Sequence, residues 1–187
     1  GASGDVLGWM GTDDIFLKDG IWKIMRVREN NPDAVAWAGV SHTIARDGSF
    51  IGLRVPKVGD KHAFSCWGTD GFIDQPACLF SADAFEKAGK FNLRFPMFMD
   101  VDLWMRLSDV GRIVATQDEI ACTRVHPDMG SADLYGREAM LIALGVYNGA
   151  YKSARRELQL FVGRSRRGAV ERAERFDAID SDYGLFL

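Results

Sequence analysis

Three features of the 187-residue sequence predict an α/β fold carrying a β-hairpin and a helical C-terminal extension. Short apolar runs alternate with stretches of helical periodicity. Asp47-Gly48 stands between two β-compatible runs, a strong hairpin signal. From Ser131 the pattern is helical to about residue 175, interrupted by glycines. The length suits one domain with an appendage and allows a sizeable core. With 47% hydrophobic and 26% charged residues, the composition excludes collagen, coiled coil and wholesale disorder.

Taken in order, residues 5–10 form an apolar run read as a strand, ending at a turn over Gly11-Thr12-Asp13-Asp14. Ile21, Ile24 and Met25 give helical spacing over 19–30, and Asn30-Asn31-Pro32 stops that helix. Residues 34–40 are too short for a typical helix and read as a buried strand. The hairpin strands cover 40–45 and 50–55, and 56–75 is a long loop of the kind usually tied to function. Pro76–Phe80 is a strand, Ser81 an N-cap, 82–88 a short helix and Gly89 its stop. Leu103, Trp104 and Leu107 share a face of a helix over 100–110 that Gly111 ends, and 112–116 and 120–125 read as two short strands. The tail 177–187 is acidic, then apolar.

Charge is uneven. The chain carries 23 Lys and Arg against 26 Asp and Glu, a net of −3. Residues 152–175 hold eight basic and three acidic side chains, a local net of +5, which leaves −8 for the rest. An acidic body argues against a nucleic-acid partner. The basic segment is either a solvated helix face or a peripheral contact with anionic lipid. No apolar run approaches the 18 residues of a membrane span, and the N-terminal residues lack the basic and apolar regions of a signal peptide. Cys66, Cys78 and Cys122 are odd in number and show no CxxC spacing, so they read as free thiols in a reducing, cytoplasmic setting.

Three clusters could carry chemistry. Asp13-Asp14 at the end of a strand offers hard oxygen ligands for Mg²⁺ or Mn²⁺, or simply caps the next helix. Asp100 and Asp102 lie two apart and do not share a helix face, so one would cap the helix and the other point into a cleft as a general base, or both are simply capping or first-turn acids. Arg124 and His126 alternate with Val125 on one strand face, suited to an anion clamp and a metal or phosphate contact, or to ordinary hydrogen bonding. No P-loop, dinucleotide-binding, nucleophile-elbow or HExxH motif is present.

In order and spacing, four stretches resemble the second half of a family 2 glycosyltransferase of GT-A fold: GDVLGWMGTDD (4–14), QPACLFSADAFEKAGKF (75–91), MDVDLWMRL (99–107) and RVHPDMGS (124–131). The resemblance implies a partial, Rossmann-like mixed sheet over residues 1–131, followed by a helical basic extension and tail over 132–187. It implies that Asp13 binds a divalent cation with Asp14 beside it as neighbour and cap. It implies that His126 completes the metal site and that Arg124 meets the leaving diphosphate. Asp100 would be the general base, with Gln75, Asp102 and Trp104 on the acceptor side. The implied reaction is inverting transfer from a nucleotide-sugar, a UDP-sugar above all, to a carbohydrate or lipid-linked acceptor, with Mn²⁺ or Mg²⁺ as cofactor.

Two positions depart from the family pattern: Gly11 replaces the first acid of the metal motif, and Met99 replaces the Glu before Asp100. The family's nucleotide-gripping half has no counterpart before Asp5. The expectation is that another polypeptide or a second copy completes the sheet, or that the chain is a fragment. The alternatives to a transferase are a non-catalytic interaction module that kept the fold and a related nucleotidyltransferase.

Overall fold

The structure is a computed structural model that describes residues 2–67, 70–95, 98–126 and 148–149. The expected helix over 131–175, the basic segment 152–175 and the tail 177–187 lie outside the described residues, apart from the turn at Asn148-Gly149. Six strands form one mixed sheet: β1 (Val6–Leu7), β2 (Ile15–Phe16), β3 (Ala36–Ile44), β4 (Phe50–Arg54), β5 (Cys78–Ser81) and β6 (Ile113–Arg124). The order across the sheet is β1-β5-β3-β6-β2, with β4 paired beside β5 on the same side of β3. Only β3 and β6 run parallel; the other pairs are antiparallel.

Helices cover both faces of the sheet's centre. Strand side chains alternate, so Ala36 and Ala38 face one apolar cluster while Trp37 faces another. Helix α1 (Gly20–Asn30) sends Ile24 into the second cluster beside Trp37, Ile120 and Ala121. On the opposite face lie α2 (Lys61–Ser65), α3 (Ala82–Lys87) and α4 (Met99–Val110). They contribute Phe64, Ala84 and the Leu103, Trp104 and Leu107 face anticipated from spacing, joined by Val101 and Met105. The architecture is thus α/β with a mixed sheet. Among the described residues no helix is long and apolar enough to cross a membrane.

Several expectations hold closely, and their causes are visible. The hairpin turns at Asp47-Gly48, where Gly48 adopts φ 89° and the Asp47 carboxylate accepts from Ser49 N and Oγ. Ser81 caps α3 by accepting from Ala84 N at 3.4 Å, and Gly89 follows at φ 84°.

Others need correction. The strand read over 5–10 is only Val6–Leu7, and the runs 34–40 and 40–45 are one nine-residue strand. Pro76 and Ala77 belong to a 3-10 turn over Gln75–Ala77, so β5 begins at Cys78. The long loop contains α2, which Asp60 caps by accepting from Ala63 N at 3.0 Å.

The two strands expected over 112–116 and 120–125 are a single β6, interrupted by a bulge. Ala38 pairs with Ala115 while Val40 pairs with Glu119, so Thr116, Gln117 and Asp118 stand opposite Gly39 alone, and a second shift leaves Ile120 extra before Ser41 pairs with Ala121. The bulge closes on itself through Thr116 Oγ1 and Asp118. It presses against Gly39, where a Cβ would meet the Ile120 side chain and lie 2.8 Å from Asp118 O. Asp100 and Asp102 are first-turn acids of α4, as the plainer of their two readings has it, and neither is its cap. The cap position is Phe98, without a side-chain bond, and both acids lie in the first turn.

Candidate functional site

The N-terminal turn and the C-terminal end of β6 meet at one end of the sheet. The β2–β6 pairing sets Ile15 opposite Cys122, which brings Asp13 and Asp14 beside Arg124 and His126. Asp14 N–H donates to Gly11 O at 3.3 Å, folding the turn. Asp14 Oδ1 accepts from the Arg124 backbone N–H at 3.0 Å, and Asp13 Oδ2 lies 3.2 Å from His126 Nε2. Residues more than a hundred positions apart are therefore joined, as the sequence reading expected of Asp13, Asp14, Arg124 and His126.

The remaining oxygens of the two acids converge on Gly11. A Cβ at that position would lie 2.8 Å from Asp14 Oδ2 and 3.2 Å from Asp13 Oδ1. A side chain there would push into the space the two carboxylates share and displace their oxygens. Asp14 does not cap a helix: β2 follows it, and α1 begins only after Asp19. Burial pushes the Asp14 carboxyl above its ordinary value, and the nearby charges of Asp13 and Asp74 add to the shift. Backbone hydrogen bonds at Arg124 and Gly11 pull the other way.

Asp74 is a member of this neighbourhood that sequence reasoning missed. Its Oδ2 accepts from Ser41 Oγ on β3 and from Thr123 Oγ1 on β6 at 2.5 Å. Its Oδ1 accepts from Arg54 Nη1 on β4 at 3.2 Å. Arg54 is held in turn by Nε donation to Thr43 Oγ1 at 3.0 Å. One buried carboxylate from the loop before β5 thus ties three adjacent strands beneath the Asp13–Asp14 turn. No local pattern announces it, because every partner is at least 20 positions away.

Of the residues assigned to the base and acceptor roles, Asp100, Asp102 and Trp104 lie on α4 and Gln75 in the 3-10 turn before β5. Asp100 is partly exposed in the first turn of α4, where the helix N-terminus favours an anion. Asp102 is fully buried and pairs with Arg106 through Nε at 2.8 Å and through Nη2. Its other oxygen accepts from Asn148 Nδ2 at 3.0 Å. Arg106 also donates to Ala88 O, so the pair fastens α4 to the end of α3. Trp104 is fully buried and stacks on Trp9 with centroids 5.6 Å apart. Gln75 donates from Nε2 to Trp9 O, joining the 3-10 turn to the segment after β1. Asp102, Trp104 and Gln75 thus have structural partners in the interior.

Two carboxylates with converging oxygens suit a hard divalent cation that keeps waters and takes the rest of its shell from phosphate oxygens. They do not make a closed cage. Among the described residues no group of three or more His, Cys, Asp or Glu side chains could hold a metal ion. None of Cys66, Cys78 and Cys122 is in a disulfide, and burial pushes the Cys78 thiol far up. No family model matches the chain, and no curated protein matches it.

Proposed function

We propose that the chain carries the cation and diphosphate site of a family 2-like glycosyltransferase. In this reading it acts in inverting transfer from a nucleotide-sugar donor, a UDP-sugar above all, to an acceptor hydroxyl. One observation carries the reading: Asp13 Oδ1 and Asp14 Oδ2 lean over Gly11 while the end of β6 holds their other oxygens through His126 and the Arg124 amide. A divalent cation would neutralise charge on a departing diphosphate. Asp13 and Asp14 would hold it, each from the oxygen not committed to β6. His126 would then orient Asp13. Asp100, at the start of α4, would take the acceptor proton as general base. That two-carboxylate set fits Mg²⁺ or Mn²⁺ better than Zn²⁺, which prefers nitrogen and sulfur ligands.

The burial of Asp102 and Trp104 favours a second reading, in which the chain is a binding module of the same fold without turnover. Titration calorimetry with Mn²⁺ and UDP separates the two. The transferase reading expects UDP binding that requires Mn²⁺ and is lost in Asp13→Ala. It also expects Asp100→Asn to abolish turnover of a radiolabelled nucleotide-sugar by the protein, leaving UDP binding intact. Unchanged turnover in Asp100→Asn removes Asp100 from the base role. Release of free diphosphate, in place of a nucleoside diphosphate, would assign a nucleotidyltransferase.

A further inference from the structure

Arg124 ends β6 at the place where a diphosphate contact was expected, yet most of its bonding capacity is directed inward. Its Nε donates to Asp13 O at 3.1 Å. Its Nη1 donates to Ala45 O and to Arg46 O, both at 2.9 Å. Its own backbone N–H donates to Asp14 Oδ1 at 3.0 Å. One residue therefore binds three segments together: the Asp13–Asp14 turn, the tip of the β3–β4 hairpin and the end of β6. The next residue continues the seam, with Val125 N–H donating to Ile44 O at 2.9 Å.

We propose that Arg124 is a positioning residue that clamps the hairpin tip to the Asp13–Asp14 turn, so that tip and turn move as one unit. The planar guanidinium explains why this residue type is needed. Its donors leave in fixed directions and can serve carbonyls on two segments at once, whereas a lysine presents a single flexible ammonium. The clamp also sets the direction of the oxygens over Gly11, since Arg124 holds the carbonyl of one acid and the carboxylate of the other. Its consequence for a cation rests on the functional reading above; the mechanical coupling does not.

The test perturbs the tip from a distance. Gly48 has φ 89°, and a Cβ added there meets nothing within 4 Å. Gly48→Val therefore strains the tip without touching the turn directly. In amide nuclear magnetic resonance spectra of the full chain, Gly48→Val should shift the signals of Asp13 and Asp14. In the Arg124→Lys background those shifts should shrink, leaving only what the backbone bonds of Arg124 and Val125 transmit. Arg124→Lys itself should speed amide exchange in both 11–14 and 45–49, with far-ultraviolet circular dichroism unchanged. It should also weaken Mn²⁺ binding about tenfold, as loss of an outer-shell partner does.

Asp13 and Asp14 signals that ignore Gly48→Val in the wild-type background overturn the proposal. So do shifts of undiminished size in the Arg124→Lys background. Failure of the wild-type chain to bind Mn²⁺ defeats the cation reading instead, and the shifts and exchange rates still decide the clamp. Should Arg124→Lys not fold, Arg124→Gln in the same comparison with Gly48→Val decides instead.

Discussion

Asp14 sits in an environment that works against its own charge. Burial and two neighbouring carboxylates raise its folded-state pKa, so the folded protein holds a proton that the unfolded chain gives up. The resulting stabilisation is complete below the ordinary carboxylate pKa and is lost as pH rises through the folded-state value. Asparagine keeps an oxygen for the Arg124 amide and carries no charge. Asp14→Asn should therefore raise the melting temperature at neutral pH, and the gain should close as pH falls below the carboxylate range. Thermal unfolding at several pH values checks this, and an equal gain at all pH values would refute it. A destabilising charge retained at a surface turn is what a cation site requires, because the bound ion would remove the repulsion. Gly11 fits the same logic. The sequence shows only that an acid is missing from the expected motif, whereas the geometry shows the position filled by the two acids that follow.

Elements show which parts of the fold local sequence could foretell. Helix α1, the Asp47-Gly48 turn and the Ser81 cap of α3 are decided by residues within a few positions, and the sequence predicts all three. Strand β6 is different. Its bulge at Thr116–Asp118 breaks the alternation of side chains, so one strand reads as two, and only its pairing with β3 makes it continuous. Helix α4 misled for a related reason. Acids at its start look like caps, yet Asp102 is drawn inward by Arg106 one turn later, a tertiary choice that periodicity does not display. The bulge provides a direct test at this scale. Gly39→Ala places a methyl group against Ile120 and Asp118 O, and overpacking of this kind costs about 1–3 kcal/mol. Urea unfolding should report a loss in that range. A neutral substitution would mean that the bulge can slide away from β3.

The whole molecule depends on joints between distant segments, and one of them is the Asp74 network. Ser41, Thr123 and Arg54 come from three strands and converge on one carboxylate that is 8% exposed. This joint lay beyond the sequence because Asp74 belongs to a loop with no periodicity and because its partners are scattered over the chain. The same separation makes it important, since it fixes the strand ends on which the Asp13–Asp14 turn rests. Asp74→Ala strips the acceptor from two hydroxyls and the counter-charge from Arg54. Removing one partner of a buried ion pair costs about 3–5 kcal/mol. The loss here should fall near ~3 kcal/mol, because the Arg54 side chain is 34% exposed and keeps part of its hydration. Asp74→Asn should cost less, since its amide oxygen still accepts from the two hydroxyls, although the charge and the oxygen facing Arg54 are lost. Both variants should lose Mn²⁺ affinity along with stability, because they loosen the floor beneath Asp14. Chemical denaturation run beside Mn²⁺ titration distinguishes the outcomes: stability lost with affinity intact would make Asp74 a joint of the sheet alone, with no hold on the site above it.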